Sequence, residues 1–265
     1  MNLEELLFCP KSKNKIHINY DEKTVYVKNS EQTYPIKKGI IDFIPEINDK
    51  ISNTYDNVSS VYNSMLTSSN ILTKLYNAAV WGLNDQDYVD YVLNYIPDDF
   101  NGLILDVPVG SGVFTCKKYP KLKNAKIICV DYSYGMLMEA KKVYEKNNIK
   151  NVALIRADIG NLPLKSSIID LLLTMNGLHA FPNKINAIKE ITRVLKNNGY
   201  LTGCFYIKDK RKISDLVVDN IYTKQGSFTP PFYSEEEFVN LLKDNYDFTD
   251  KNNIKSIFYF NSQKK

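Results

Sequence analysis

The sequence is poor in the residues that would build several function classes. Four cysteines, Cys9, Cys116, Cys129 and Cys204, are scattered through 265 residues. That spacing excludes a disulfide framework, and the two in apolar strand-like runs read as reduced core thiols. There are only two histidines, His17 and His179, far apart in the chain. No apolar run approaches the roughly 20 residues of a membrane helix, so no membrane span is expected. The opening Met1-Asn2-Leu3-Glu4-Glu5 lacks the basic start and cleavage pattern of a signal peptide, which gives a cytoplasmic expectation. The net charge of +4 is spread out with no dense basic block, which permits a nucleic-acid partner without arguing for one. The 44% hydrophobic and 24% charged content is that of an ordinary globular protein.

The most informative stretch runs from Gly102 to Thr115. Leu103 to Val107 is a short apolar run with Asp106 near its end, followed by Pro108-Val109-Gly110-Ser111-Gly112. This reads as a buried parallel strand, a glycine turn and then a helix from about Val113 to Tyr119. An acid at the strand end beside Gly110 and Gly112 leaves bare backbone where a nucleotide-like ligand can come close.

Residues 1–48 read as a small β-rich module, with strand candidates at 15–20, 24–28 and 32–36 and an apolar strand after Lys38-Gly39. Residues 49–101 are helical in pattern. Ile51, Tyr55, Val58, Tyr62 and Met65 share one helix face, and Tyr88, Tyr91, Val92 and Tyr95 mark a later helix that Pro97 ends. Such aromatic stripes fit either a core face or a lid over a site.

From residue 102 to 265 strands and helices alternate: strands at 103–107, 126–130, 152–156, 169–174 and 200–206, helices at 134–147 and 183–195. The second helix ends at Asn197-Asn198-Gly199 in the manner of a C-cap. Residues 208–232 break the rhythm as an insertion near the site. Ser234 and Glu237 fit a capping box, and 246–248 with 254–260 form a closing hairpin turning near Lys251-Asn252-Asn253. The expected fold class is α/β: a Rossmann-like seven-stranded mixed sheet with helices on both faces, plus the small N-terminal β module. The ligand belongs at the carboxyl ends of the strands.

Asp106, Asp131 and Asp158 fall at three successive strand ends. A carboxylate after the second strand can accept from both hydroxyls of a ribose, with an adenine between that strand end and the next. A dinucleotide turn needs G-x-G-x-x-G, yet Thr115 stands at the third glycine position and no basic residue near the turn offers itself to phosphate. A nucleoside cofactor without phosphates fits better.

The pattern Leu105-Asp106-x-x-x-Gly110-x-Gly112, with Asp131 and then Ala157-Asp158-Ile159, resembles the class I S-adenosylmethionine-dependent methyltransferases, of the type 11 kind. Asn176-Gly177-Leu178-His179-Ala180-Phe181-Pro182 and the stretch Ile188 to Gly199 resemble the segments after strand four in that family. The resemblance covers about residues 55–260. Pro108 departs from it, standing where the family usually has the first glycine of the turn. The resemblance implies S-adenosyl-L-methionine as cofactor and S-adenosyl-L-homocysteine as product. It implies that Gly110 and Gly112 admit the methionine part and that Asp106 orients its ammonium directly or through water. Asp131 would hold the ribose, Tyr132 and Met136 would line the adenine pocket, and Asp158 and the Ile159 amide would read the adenine edge. Asn176 would face the methionine end, and Tyr55 and Tyr62 would cover the sulfonium. His179 is the candidate general base, if the nucleophile must lose a proton; orientation or filling is the other reading.

Phe8-Cys9-Pro10 with Tyr34-Pro35-Ile36 and Gly39-Ile40 resembles the zinc-ribbon-like module that precedes some bacterial rRNA guanine methyltransferase domains. A structural zinc site wants four N/S ligands. Ser12 stands where a second thiolate belongs, and Cys9 with His17 supplies two ligands at most, so a module without metal is expected. The leading expectation is methyl transfer to a small aromatic or lipid-like acceptor. The alternatives are an RNA methyltransferase and a cofactor-binding protein without transfer activity.

Overall fold

The structure, a computed structural model, describes residues 1–44, 80–81 and 87–265. Tyr55 and Tyr62, and with them most of the expected lid at 49–101, lie outside the described residues. Among the described residues the frame is one sheet of eleven strands. In chain order these are β1 (Ile16–Asn19), β2 (Thr24–Val27), β3 (Thr33–Lys37), β4 (Ile40–Asp42), β5 (Leu103–Asp106), β6 (Lys126–Asp131), β7 (Val152–Arg156), β8 (Ile169–Met175), β9 (Leu195–Tyr206), β10 (Tyr246–Ile254) and β11 (Ile257–Lys264). In space they run β1-β2-β3-β4-β7-β6-β5-β8-β9-β11-β10.

The expected seven-stranded mixed sheet is the part from β7 to β10. Its five central strands are parallel, and β11 pairs antiparallel with β9. Every residue of β5 is buried, as expected of a strand covered on both faces. The order reverses between β5 and β8, the topological switch point where such sheets hold ligands.

The strand count corrects the expectation. The strands of the N-terminal region extend the sheet: β4 joins its edge in parallel with β7, pairing Ile41 with Ile155 and Asp42 with Arg156. The cause is in the sequence: Ile40, Ile41 and Asp42 are all buried, with Ile41 in one core cluster and Ile40 in the other, so this strand is covered on both faces and β7 pairs its edge. Leu7, Val25 and Ile41 share one core cluster with Leu105, Val130 and Ile155.

Among the described residues the helices are α1 (Asp87–Asn94), α2 (Tyr134–Lys146), α3 (Lys184–Val194), α4 (Lys212–Val217) and α5 (Glu235–Leu242). Ser133 caps α2 and Asn183 caps α3, each accepting from a backbone amide three residues on. Ser234 and Glu237 form the full capping box on α5. Three other expectations need correction. Residues 113–118 form turns that lead into a short 3-10 helix at Tyr119–Lys121, not an α-helix; Val113, Phe114 and Thr115 are weak helix formers, and Thr115 Oγ1 is tied to the Tyr144 hydroxyl at 2.9 Å. β9 starts directly at Leu195, and it is Asn198, at φ +62°, that takes the left-handed conformation rather than Gly199. The closing hairpin turns at Lys255-Ser256, since β10 continues to Ile254 and β11 begins at Ile257.

Candidate active site

At the carboxyl ends of β5 and β6, backbone amides hold one carboxylate in place. Gly110 N–H donates to Asp131 Oδ2 at 2.8 Å and Ser133 N–H donates to Asp131 Oδ1 at 2.9 Å. Ser133 also caps α2 through Met136 N–H, so the ribose candidate, Tyr132 and the buried Met136 belong to one rigid turn. Gly110 has φ +56°, and a Cβ there would meet nothing within 4 Å. Its space is therefore open to a ligand, and only glycine takes that backbone without strain. Gly112, at φ +71°, lies against the Tyr144 ring.

Asp106 is only 2% exposed, and one of its oxygens, Oδ2, accepts from the Tyr119 hydroxyl at 2.6 Å. Burial pushes its carboxyl up to about 7; the Tyr119 hydrogen bond opposes the rise and the Asp131 charge adds to it. A cation beside this group would restore its ionised form, as the expected ammonium would. Tyr119 itself was not anticipated. The turn that replaces the expected helix is what brings its hydroxyl under Asp106.

Pro108 has a structural counterpart. The Val107–Pro108 peptide is cis. Separately, a Cβ on Gly177 would sit 2.2 Å from Pro108 Cδ, so the proline ring packs flat on the glycine that follows Asn176. The two loops of the switch point thus interlock by shape, with Pro108 in place of the usual glycine and Gly177 providing the room.

Asp158 stands exposed at the end of β7 and caps the 3-10 turn Ile159–Asn161 through Gly160 N–H at 2.8 Å. Asp131 and Asp158 therefore flank adjacent strand ends, as expected. Behind them lies a brace missed in the sequence. Arg156 Nε donates to the Tyr132 carbonyl at 2.9 Å, while Nη1 meets Asp42 Oδ2 at 3.3 Å with both side chains buried. The signal was available: Asp42 within Ile40-Ile41-Asp42-Phe43 and Arg156 within an apolar strand are charges that call for buried partners.

At the ends of β8 and β9 the lining is aromatic. Asn176, at φ +54°, donates from Nδ2 to the Tyr88 hydroxyl at 3.2 Å. His179 stacks on Phe228 with centroids 3.9 Å apart, and Phe228 stacks on Tyr222 at 5.0 Å. Trp81 lies 5.8 Å from Tyr222 and 30° from parallel. Four rings thus form a slab of near-parallel faces, with Tyr206 edge-on to Trp81.

His179 is buried, and its Nδ1 accepts from Tyr206 N–H at 3.2 Å. Burial, with the Lys184 charge adding, pushes its imidazole down to about 3. Nδ1 is engaged as an acceptor, so the neutral ring carries its proton on Nε2. This geometry argues against the general-base reading and for the orienting one. Lys184, lowered to about 8 by burial, donates to the carbonyls of Phe181 and Thr229 and so ties the insertion to α3. In the N-terminal region Cys9 lies within reach of the Tyr34 hydroxyl at 3.4 Å and accepts from Ser12 N–H at 3.5 Å. His17 pairs with Glu4 at 3.0 Å on the surface, so the two are spent on separate protein partners.

Comparison with known proteins agrees with this geometry. Residues 104–199 match the family model described as a methyltransferase domain. A methyltransferase of Arabidopsis thaliana, described as uncharacterized and chloroplastic, is 35% identical over 118 residues, 43% of this chain and 34% of that protein. The chain thus spans about a third of the length of that relative. The demethylmenaquinone methyltransferase of Staphylococcus haemolyticus is 24% identical over 217 residues, covering 79% of this chain and 84% of its own. Among solved structures, a SAM-dependent methyltransferase from Aquifex aeolicus superposes with a TM-score of 0.57 at 18% identity, over 78% of this chain and 98% of that one. The [4+2]-cyclase SpnF superposes with a TM-score of 0.63 at 16% identity, over 81% and 95%. Likeness at that identity shows the fold, and the cyclase is a reminder that the fold alone does not choose the reaction.

Proposed function

We propose, from the premise that residues 104–199 are a class I S-adenosylmethionine-dependent methyltransferase domain, that the chain methylates a small planar acceptor of quinone or related aromatic type. The observation that carries the acceptor class is the ring slab of His179, Phe228, Tyr222 and Trp81. Flat ring faces favour a flat, largely apolar substrate that can stack on them. The similarity to a demethylmenaquinone methyltransferase supports the same class.

The residues present fit the cofactor. Asp131, oriented by the Gly110 and Ser133 amides, is an acid at the end of β6 of the kind that accepts from ribose hydroxyls. The space over Gly110 is open, and Asp106 is a buried acid that a neighbouring ammonium would ionise. When bound, S-adenosyl-L-methionine supplies a methyl group already activated on a sulfonium. The chain's own contribution is positioning, which can supply about 7–11 kcal/mol when the reacting atoms are held in line. Asp131 and the Ser133 turn would fix the nucleoside end, Asp106 would orient the amino-acid end, and Asn176, at the end of β8, would face the methionine end. The neutral His179 supplies no base; its Nε2–H is a donor suited to an acceptor's oxygen. A carbon nucleophile made electron-rich by a ring hydroxyl needs orientation more than proton removal at this histidine.

The test is methyl transfer from radiolabelled S-adenosylmethionine to a panel of acceptors: a water-soluble hydroquinone, a catechol, a primary amine and tRNA. Label on the hydroquinone or catechol supports the reading. Label on the amine or RNA alone rejects it.

A further inference from the structure

Residues 208–232 do two things at once. Their inner face is committed to the protein. Ser214 is buried and donates to the Val80 carbonyl at 2.6 Å, Val218 is buried, and Asp215 Oδ1 accepts from the Tyr206 hydroxyl at 2.6 Å. Their outer face is apolar where water is expected. Ile213 is 45% exposed, Leu216 62% and Ile221 43%.

These three side chains are brought together by a backbone irregularity. In an uninterrupted α-helix Ile221 would lie about 80° around the axis from Ile213. Residues Val218–Tyr222 form a π turn instead, with Thr223 N–H donating to the Val218 carbonyl at 2.9 Å. The wider turn carries Ile221 back over Ile213 and Leu216. The same turn directs Tyr222 inward onto Phe228.

The flanks of this apolar face are basic. Lys210, Arg211 and Lys212 precede it and Lys224 follows it. Asp215 points inward, Asp209 and Asp219 are the exposed acids, and Lys210 is paired with Glu235 at 3.1 Å, which leaves Lys212 and Lys224 as the exposed cations beside the apolar face. Lys212 makes no ion pair among the described residues. An apolar stripe rimmed by cations is the pattern of a helix lying in a membrane interface. A second copy of the chain is a poor occupant. A two-fold contact would set the same basic flank against itself, and three side chains fall far short of the roughly 800 Å² per partner of a stable interface.

We propose that the outward face of residues 212–222 seats the protein on an anionic membrane surface, through Ile213, Leu216 and Ile221 with Lys212 and Lys224 at the headgroups. Since the same insertion carries Tyr222 and Phe228, seating it there would set the acceptor wall next to the bilayer. That second step rests on the proposed quinone-type acceptor; the surface binding does not.

The experiment is co-sedimentation of the full chain, without cofactor or acceptor, with vesicles of phosphatidylglycerol and phosphatidylcholine against vesicles of phosphatidylcholine alone. The wild type should bind the anionic vesicles, and added salt should weaken the binding. The variant I213S/L216S/I221S should lose roughly tenfold or more in partitioning while keeping its affinity for S-adenosylhomocysteine. The variant K212E/K224E, which touches no core contact, should lose about tenfold on anionic vesicles alone. Absence of wild-type binding at low salt overturns the proposal, as does undiminished binding by both variants. A self-associating wild type that becomes monomeric in the triple variant would assign the face to a second copy and overturn it as well. Methyl transfer to a soluble acceptor is read separately, so either conclusion can fail without the other.

Discussion

Around Asp131 the structure holds its key atoms by hydrogen bonds from backbone amides; around His179 it holds them by ring faces. The first arrangement fixes positions to within a bond length and is built from a few residues on adjacent strand ends. The second defines a shape, and its members come from Trp81, the loop after β8, the end of β9 and the insertion. Under the proposed function this is a division of labour between a polar, preorganised cofactor half and an apolar, composite acceptor half. One would recognise a ligand whose chemistry does not vary, and the other could be re-lined for a different acceptor without disturbing it. On that reading substitutions should affect one ligand or the other, and seldom both.

The largest effect should come from the brace beneath the cofactor half. Asp42→Ala leaves Arg156 charged and buried, so the stability measured by urea unfolding should drop by about 3–5 kcal/mol. A second readout separates positioning from simple loss of stability. At a temperature where the variant is folded, S-adenosylhomocysteine should bind more weakly, because Arg156 no longer holds the Tyr132 carbonyl next to Asp131. An analogue lacking the ribose 2′- and 3′-hydroxyls should bind the two proteins alike. Equal losses for both ligands would mean that Asp42 is structural only.

Next comes Asp131→Ala. Charge-assisted hydrogen bonds contribute about 1.5–3 kcal/mol each, so titration calorimetry should show S-adenosylhomocysteine affinity falling roughly 10- to 100-fold or beyond. The acceptor KM at saturating cofactor should stay put. Phe228→Ala is the mirror experiment. It removes the centre of the ring slab and should raise the acceptor KM about tenfold, from lost stacking of about 0.5–1.5 kcal/mol per ring pair, with cofactor affinity unchanged. A Phe228 variant that also loses the cofactor would break the comparison.

The two halves also differed in how far they could be read in the sequence. Asp106, Asp131 and Asp158 were legible because each ends an apolar strand, and strand ends on one edge of a parallel sheet must be neighbours. The strands from β5 to β9 were legible for the same reason, as runs of buried residues. Tyr119 was not, because its place under Asp106 depends on residues 113–118 forming turns where the pattern reads as helix. The fusion of β4 to β7 was hidden too. A buried three-residue strand announces that it needs a partner, but not which edge it will find. The ring slab was least legible, since Trp81, His179 and Phe228 are separated by long stretches of sequence and meet only through tertiary packing. Hydrogen-bond chemistry local to a turn leaves a sequence pattern; a surface assembled from four segments does not.

Asp106 gives the cofactor half a pH signature. Its folded-state value of about 7 lies above the usual carboxylate range, so the native state holds the proton longer than the unfolded chain does. Between about pH 4 and 7 the native state therefore binds more protons, and stability falls as pH rises through that window. Melting curves of the protein without ligand should lose a few degrees from pH 5 to pH 8, about 2–4 °C for each kcal/mol. Asp106→Asn should remove that slope. Binding of S-adenosylhomocysteine near pH 6 should release a proton in the wild type, visible in calorimetry as a dependence on buffer ionisation enthalpy, and release none at this site in the variant.

The smallest expected effect is at His179, and its smallness is the point. A general base removed from an active site costs about 10²- to 10⁴-fold in rate. A buried, neutral ring whose Nδ1 accepts from Tyr206 N–H is a different object. Asparagine can present an oxygen near the place of that nitrogen and keep the backbone contact. His179→Asn should therefore change kcat by about threefold or less, with a modest rise in acceptor KM from the lost stack on Phe228. The acid limb of the pH–rate profile should not move, because an imidazole lowered to about 3 does not titrate in the working range. A hundredfold loss of kcat together with a shifted acid limb would return the histidine to proton transfer. The acceptor half would then hold a reacting group of its own as well as a shape.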